Sequence, residues 1–475
     1  MKDSAKKLNL TELIGLVIGS IIGGGIFNLM HDMASQAGVG SVLVGWIITA
    51  IGMLCLAFTF QNLTNKRPDL QAGIYSFADA GFGHYIGFNS AWGYWLSVWL
   101  GNISYATLLM SSLTYFFPIF DNGHNLVSFI AATIILWGGH FLVLRGIHSA
   151  SFINTIITII KLIPIFLFIV IMITAFKLNV FTSDFWLMHG KPFNFSDMLG
   201  QVKSTMLVTV FVFSGIEGAV IFSGYAKKRK DIGRATVLGI VAVTMIYMLV
   251  TLLSFGVMHQ AQLSQLGQPA MADLLQHVMG KWGAIIVNIG LIIAVLGAWL
   301  SWTMFAAEVP YEAAKVGSFP KFFAKENKNG TPVNSLIFTN VLVELFMVSF
   351  FLASSAYNLF LSISSSAVLI PYAFSALYQV KYSYLDKGAS DRRRNIILGI
   401  ISSAYSIWLI YAAGLNYILL TTILFAAGLP AYCYLQKVDN KRDRIFTNLE
   451  RLLAIALVIL AVIAIYELAT GGITI

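Results

Sequence analysis

The sequence predicts an all-α integral membrane protein with about 13 transmembrane helices, and three observations support this fold class. Of the 475 residues, 58% are hydrophobic and 11% are charged, whereas a soluble globular domain carries about 25% charged residues. Uncharged apolar stretches of about 20 residues, long enough to cross a bilayer, recur along the chain. Two of these stretches are interrupted by glycines at corresponding positions, five stretches apart.

The lysine and arginine residues test the predicted spans and orient them. The spans cover residues 10–37, 40–63, 85–117, 126–144, 150–176, 200–224, 235–258, 282–314, 334–353, 356–380, 395–414, 416–436 and 450–469. With the N-terminus in the cytoplasm, most of the 30 lysine and arginine residues fall on the cytoplasmic side, as the positive-inside rule expects. The odd number of spans then places the C-terminus on the other side.

Composition and motifs exclude several other classes of protein. Basic cytoplasmic loops explain the net charge of +9, so we expect no nucleic acid partner. The two cysteines, Cys55 and Cys433, lie inside apolar segments, so we expect neither a disulfide nor a metal site. The P-loop, H-E-x-x-H and C-x-x-C patterns do not occur, and we predict no cofactor and no enzymatic activity.

Spans 1 and 6 each contain a stretch that a continuous helix tolerates poorly. Span 1 holds IGSIIGGGIF (18–27), and each of its three consecutive glycines costs about 1 kcal/mol relative to alanine in a helix interior. Span 6 holds FSGIEGA (213–219), in which two glycines flank Glu217. Close helix packing through small residues is the alternative explanation. Paired broken helices, however, point to the binding site of a transporter built from inverted repeats, and we favour that architecture.

The pairing of the two breaks predicts the domain organisation. Residues 10–176 form a first repeat of five spans, and residues 200–380 form a second. Residues 1–9 are a cytoplasmic N-terminus, and residues 395–469 supply three accessory spans. Unwinding at each break frees backbone N–H groups that can hold a substrate carboxylate, and carbonyl groups that can accept from an ammonium.

Four stretches carry a resemblance to a known family. They are IGSIIGGGIF (18–27), GFNSAWGYWLSVWLGNISYATLL (87–109), FSGIEGAVIFSGYAKKRKDIGRATVLG (213–239) and WTMFAAEVPYEAAKVGSFP (302–320). With the span layout, they resemble the amino acid–polyamine–organocation superfamily over nearly the whole chain. The resemblance is to its basic amino acid/polyamine antiporter branch, and especially to arginine/ornithine antiporters. It implies a LeuT-like 5+5 inverted repeat with broken spans 1 and 6.

The resemblance also implies a set of substrate-binding residues. The matching positions are the unwound part of span 1 that holds the substrate carboxylate (Ile21, Gly23, Gly24 and Gly25), the break in span 6 (Ser214 and Gly215), an amide at the distal end of the substrate (Asn102), an aromatic near the pocket (Tyr94), a stacking indole (Trp302) and polar lining in span 10 (Ser362 and Ser364). Phe211 matches an aromatic that closes over the substrate. In arginine exchangers of this branch that residue is usually Trp, so the sequence departs from the pattern there.

Two ionisable residues at membrane depth are candidates for coupling or gating, because buried charges in membranes are costly. Lys161 resembles the lysine that replaces a sodium ion in some sodium-independent relatives, and it either titrates during exchange or tethers span 5 to span 1. Glu217 has a functional interpretation, in which its carboxylate takes up a proton or holds the gate. In the structural interpretation it accepts hydrogen bonds from N–H groups freed by the break.

By resemblance, we expect a secondary antiporter that exchanges arginine for ornithine by alternating access, in a bacterial plasma membrane. The alternative is an amino acid/biogenic amine exchanger, with histidine/histamine, tyrosine/tyramine or agmatine/putrescine as the pair. A sensor that binds amino acids without flux is a third hypothesis. A channel is disfavoured because no repeated carbonyl or charge ring is visible. The expected partners are amino acid and amine substrates and membrane lipid, and a homo-oligomer stays open.

Overall fold

The computed structural model describes residues 7–70, 73–348, 356–439 and 444–473. Within these residues the chain is almost entirely helical. It contains no strand, only isolated bridges between Leu8 and Ala226 and between Glu326 and Pro332. Residues 1–6 of the predicted cytoplasmic N-terminus lie outside the described residues, as do Lys441, Arg442 and the last part of the predicted ninth span.

The described residues of the first half of the chain form ten helices, two of which belong to the interrupted first span. They are α1 (Leu10–Ile21), α2 (Leu29–Ala34), α3 (Val39–Lys66), α4 (Ile74–Phe82), α5 (His84–Leu113), α6 (Leu126–Leu144), α7 (Ile147–Ala175), α8 (Leu178–Phe181), α9 (Phe195–Val212) and α10 (Gly218–Ile221). Short 3₁₀ helices cover Gly25–Phe27, Pro118–Gly123 and Phe222–Tyr225. A capping box fixes the start of α1, since the Asn9 side chain accepts from the Glu12 N–H and the Glu12 carboxylate accepts from the Asn9 N–H.

The second half of the chain continues the same architecture. Its helices are α11 (Arg229–Phe255), α12 (Gln260–Leu263), α13 (Ala270–Met279), α14 (Lys281–Lys315), α15 (Val333–Met347), α16 (Ala356–Leu385), α17 (Arg392–Ala412), α18 (Leu415–Ala426), α19 (Leu429–Tyr434) and α20 (Asn448–Thr470). A 3₁₀ helix covers Lys321–Ala324, and a π-helical turn over Leu435–Asp439 extends α19. Thr447 and Glu450 form a second capping box, at the start of α20.

Nine helices of the described part are long and apolar enough to cross a membrane. They are α3, α6, α7, α11, α14, α16, α17, the α18–α19 segment and α20. The other four predicted spans correspond to α1–α2, α5, α9–α10 and α15, which are interrupted, more polar or shorter. Of these, α5 is largely buried inside the protein, so it needs less apolar surface than a helix facing lipid. The count of thirteen spans stays a prediction.

The interrupted helices lie at the centre of the bundle. Helix α1 packs against α7, α11 and α14, and the short α10 packs against α1, α11 and α14. In α14, 67% of the residues in the most apolar stretch are buried inside the protein, whereas in α20 the share is 17%. The broken backbone is therefore enclosed by protein, while the last helix is exposed along most of its length.

Candidate substrate site

The break in the first span begins directly after α1. Ile22 leaves the helical conformation (φ −78°, ψ 92°), and the chain becomes helical again only at Gly25–Phe27. Within the described residues, the N–H groups of Gly24, Gly25 and Ile26 donate no hydrogen bond. Three adjacent free donors at the start of a half-helix form an anion-binding arrangement, because the helix dipole adds to their partial positive charge.

The break in the sixth span lies beside the first. Helix α9 ends at Val212 and α10 begins at Gly218, as the FSGIEGA stretch predicts. Gly215 has a φ of +104°, and a Cβ there would lie 3.0 Å from Ser20 Cβ, so only glycine fits without strain. The Ser20 hydroxyl donates to the Gly215 carbonyl at 2.9 Å. This bond joins the two interrupted helices directly.

Side chains from three neighbouring helices satisfy the carbonyl groups at the end of α1. Lys161 Nζ, from α7, donates to the Gly19 carbonyl at 2.9 Å and to the Ile22 carbonyl. Trp302 Nε1, from α14, donates to the Ser20 carbonyl at 3.1 Å. Tyr247 Oη, from α11, lies 3.0 Å from the carbonyl oxygens of both Ile21 and Val212. The carbonyl end of the break is thus largely paired, whereas its N–H end is free.

A small cavity of about 20 Å³ lies between the two breaks, with room for about one water molecule. Eight of the predicted substrate-binding residues line it: Ile21, Gly23, Gly24, Gly25, Phe211, Ser214, Trp302 and Ser364. Tyr94, Asn102, Gly215 and Ser362 do not line it, and neither do Lys161 and Glu217. Among its described lining residues there is no charged side chain.

Glu217 is fully buried and accepts hydrogen bonds from two tyrosine hydroxyls, those of Tyr94 on α5 and Tyr372 on α16. Glu217 lies immediately before α10. Its carboxylate therefore connects the broken span to the two long helices α5 and α16. Tyr94, predicted near the pocket, therefore acts on Glu217 rather than on the cavity wall. The donors are hydroxyl groups, whereas the structural interpretation of Glu217 expected N–H groups freed by the break.

Asn102 lies next to Gly101, which lines the cavity, but its own side chain does not reach the cavity wall. The residue is fully buried, and neither its amide oxygen nor its amide nitrogen has a hydrogen-bond partner in the described structure. A buried amide without partners costs about 1–3 kcal/mol. A ligand or a water molecule that reaches Asn102 would recover this energy.

Two aromatic residues of the cavity wall were missed by the sequence reasoning. Tyr105 lines the cavity, and its ring makes an edge contact with Trp302 at a centroid distance of 5.9 Å. The helical spacing could have indicated it, because Tyr105 lies three residues after Asn102 on α5 and shares its face. Tyr247 also lines the cavity. No sequence signal marked Tyr247, since its position depends on how α11 packs against α1.

The two sides of the cavity differ in access. A vestibule of about 250 Å³ shares Gly24 with the cavity and is lined by Asn28, Asn288 and residues of the loops that follow α5 and α12. The opposite side is closed by the Glu217 contacts and by a hydrogen bond from the Tyr75 hydroxyl to the Val309 carbonyl. Farther out, Lys66 binds Asp391 at 2.7 Å. The Lys66 ammonium lowers the pKa of Asp391 below its ordinary value.

The enclosed site between two broken helices, reached from one side only, defines a helical membrane transporter. A model of the amino acid permease family matches residues 8–428, and the chain belongs to this family. It is 47% identical to the arginine/ornithine antiporter of Pseudomonas aeruginosa, over 100% of this chain and 99% of that protein. It is 44% identical to the arginine/agmatine antiporter of Chlamydia abortus, over 98% of both chains.

Among solved structures, the chain is similar to MhsT in complex with L-phenylalanine. The TM-score is 0.57 at 16% sequence identity, over 85% of this chain and 98% of that chain. This similarity concerns the fold. The predicted superfamily, the all-α LeuT-like fold and amino acid antiport are confirmed, and the chain is a multi-pass membrane transporter.

The G25A substitution tests the cavity between the breaks. A Cβ at Gly25 would lie 2.7 Å from Phe211 Cε1 and 3.2 Å from Val212 Cγ1, so it occupies the little space available. Overpacking of this kind costs about 1–3 kcal/mol. Because the added methyl group takes space from the cavity, we expect weaker binding of labelled amino acid substrate in a scintillation proximity assay on purified protein that is still folded.

The matched control is G139A in α6. A Cβ at Gly139 would meet no atom within 4 Å, so the helix should accept it. Equal binding by both variants would show that the cavity between the breaks is not the binding site.

Proposed function

We propose that the chain exchanges external arginine for internal ornithine by alternating access at the cavity between the two breaks. One observation carries this proposal. Free N–H groups at Gly24–Ile26 and the indole ring of Trp302 lie around the same enclosed space. An α-amino acid with a cationic side chain has complementary groups at both ends. The names of the P. aeruginosa and C. abortus relatives support the same substrate class.

The α-carboxylate of the substrate is assigned to the start of the second half of span 1. Gly24, Gly25 and Ile26 present three N–H donors, and the glycines let a ligand approach the backbone closely. The α-ammonium is assigned to the carbonyl oxygens of Ile21 and Val212, which lie together beside Tyr247. Ser214 and Ser364 supply further polar lining.

The cationic end of the substrate is assigned to the aromatic wall. A guanidinium or ammonium over the Trp302 ring gains about 0.5–2 kcal/mol by cation–π attraction. Tyr105 stands against Trp302, and the unpaired amide of Asn102 lies one residue beyond Gly101. At this end the protein offers two aromatic rings and one amide, and no carboxylate side chain lines the described cavity wall. Such a site suits a transporter that must release one cationic amino acid and take up another.

The cavity of about 20 Å³ is too small for an amino acid, so binding requires side chains to move. Phe211 is half-buried, lines the cavity and would contact a Cβ built on Gly25, which makes it the candidate gate toward the vestibule. On the closed side, the contacts of Glu217 with Tyr94 and Tyr372 must rearrange before the substrate leaves. We assign Glu217 to this gate.

Lys161 is assigned the place of a coupling cation, so that exchange needs no sodium. Its ammonium is fully buried and binds two carbonyl groups at the C-terminal end of α1, where the helix dipole favours a positive charge. A bound sodium ion would use the same kind of oxygen ligands.

The arrangement in the membrane is also a proposal. We place the protein in a bacterial plasma membrane with the N-terminus in the cytoplasm, in agreement with the distribution of lysine and arginine. Residues 10–176 and 200–380 are the two inverted repeats, and residues 395–469 are accessory spans. Membrane lipid surrounds the exposed helices, and self-association through the accessory spans is compatible with their exposure.

Exchange of an amino acid for an amine is the second candidate function. The observation that favours it is the 44% identity to a protein named as an arginine/agmatine antiporter. Phe211, which differs from the Trp usual in arginine exchangers, also leaves this pair open. An amine lacks the carboxylate, so it would use the aromatic wall and the carbonyl groups but not the free N–H groups of Gly24–Ile26.

Counterflow in proteoliposomes distinguishes these functions. Vesicles loaded with ornithine, agmatine, putrescine, histamine or tyramine are placed in labelled arginine, histidine, tyrosine or agmatine, without sodium. We expect labelled arginine to accumulate in ornithine-loaded vesicles. Accumulation only with an amine inside would assign the second function, and substrate binding without any flux would identify a sensor.

The W302L substitution tests the aromatic wall. Loss of the indole removes the cation–π contact, so we expect arginine affinity to fall by about 0.5–2 kcal/mol. The matched control is W282L, because Trp282 is 72% exposed near the start of α14, far from the cavity lining. Affinities are compared by concentration-dependent counterflow. Equal affinities in the two variants would remove Trp302 from the site.

The K161A substitution tests the proposed cation replacement. It leaves the Gly19 and Ile22 carbonyls without their donor, at a cost of about 1–3 kcal/mol for each buried group. We expect a large loss of exchange, while K281A, at an exposed lysine, exchanges normally. Rates are measured between pH 5 and 8, with and without sodium. Normal exchange by K161A under all conditions would make Lys161 a passive tether.

A further inference from the structure

Helix α20 bounds an apolar crevice that the transport mechanism does not use. The crevice has a volume of about 300 Å³ and lies between α5, α16, α17, α18 and α20. Its lining is predominantly apolar and includes Ile86, Ile370, Phe374, Phe425, Leu453 and Leu457. In a bilayer, such a crevice is filled by hydrocarbon rather than by water.

A polar recess of about 1040 Å³ opens at the end of this crevice where α20 begins. Arg444 and Arg451 line it, and within the described residues neither forms an ion pair. Among the described lining residues Glu450 is the one acidic side chain, and its carboxylate accepts from the N–H groups of Thr447 at 2.8 Å and Tyr85 at 3.3 Å. The described lining therefore carries two arginine charges against one carboxylate charge, which leaves a net positive charge.

The recess and the crevice are continuous along two helices. Helix α5 contributes His84 to the recess and Ile86 to the crevice. Helix α20 contributes Arg451 to the recess, and Leu453 and Leu457 to the crevice. At about 1.5 Å per residue, Leu453 lies about 3 Å and Leu457 about 9 Å deeper along α20 than Arg451. The charged end thus stands directly above the apolar interior, at the depth expected for a headgroup above an acyl chain.

We propose that this composite site binds an anionic phospholipid. Its phosphate and headgroup lie at Arg444 and Arg451, and one acyl chain fills the crevice beside Leu453 and Leu457. By span alternation the recess lies on the same side of the membrane as the N-terminus, where basic pockets between helices attract anionic lipids. With 17% of its apolar stretch buried in protein, α20 gains a second attachment to α5 and α16 through the lipid.

One helix, α16, contributes residues both to this site and to the substrate cavity. Helix α16, which supplies Ile370 and Phe374 to the crevice, carries Ser364 in the cavity wall and Tyr372 at Glu217. An acyl chain packed against α16 therefore contacts a helix that belongs to both the binding site and the closed gate.

Native mass spectrometry of the purified full-length protein tests the headgroup end. The probe is dioleoyl phosphatidylglycerol, compared with dioleoyl phosphatidylcholine, which has the same chains and no net charge. We expect preferential retention of phosphatidylglycerol, weakened about fivefold for each arginine removed in R444Q and R451Q. The matched control is R145Q with R393Q, at exposed arginines of the same side that form no ion pair in the described structure. Equal weakening in the control pair, or equal retention of the two lipids by the unchanged protein, would overturn the proposal.

The acyl-chain end is tested by L457W, which fills the crevice, against V458W, whose site is 43% exposed and outside the crevice lining. We expect reduced retention of phosphatidylglycerol in L457W only. Glycerol 3-phosphate is the soluble probe, and retention of it as strong as that of the lipid would mean a phosphate site without a lipid. Thermal melting verifies that each variant is folded, and the arginine variants decide the outcome if L457W does not fold. None of these readouts depends on the transported substrate.

Discussion

The requirement that backbone groups inside a membrane be hydrogen-bonded governs the centre of this molecule. Ending α1 in mid-membrane exposes the carbonyl groups of residues 19–22, each of which would cost several kcal/mol if left bare. Lys161, Trp302 and Tyr247 reach these carbonyls from three different helices. The break is therefore held by α7, α14 and α11 together, and its geometry depends on how these helices pack. The N–H groups on the other side of the break receive no such support, which makes them the groups available to an anion.

Glu217 extends this arrangement to the rest of the bundle. Its carboxylate accepts hydrogen bonds from tyrosine hydroxyls on α5 and α16, so these two helices hold the second break. The same helices line the cavity through Gly101 and Ser364. Movement of the short α10 must therefore either carry these helices along or exchange two buried hydrogen bonds for others. A carboxylate at this position is costly to bury without partners, and the two tyrosine hydroxyls supply them.

The sequence was informative where local chemistry conflicts with a continuous helix. It was less informative where the packing of helices determines which side chains reach the site. The glycines of 23–25 and the Gly-Ile-Glu-Gly stretch around Glu217 conflict with helix propensity, and the breaks lie there. Lys161 stood out as a charge in an apolar span. Tyr247 did not, because a tyrosine at either side of α11 gives the same sequence pattern. Span counting was limited for a related reason, since α5 is largely buried inside the protein and need not be strongly apolar.

The single hydroxyl of Tyr247 stands between two acceptors, the carbonyl oxygens of Ile21 and Val212, at equal distances of 3.0 Å. One O–H bond can point to only one of them at a time. Under the proposed placement of the α-ammonium, the substrate is the donor to the other oxygen. Occupancy of the cavity and the direction of one proton are thereby linked. In that placement, an occupied cavity changes which half-helix the Tyr247 hydroxyl binds, without movement of either backbone.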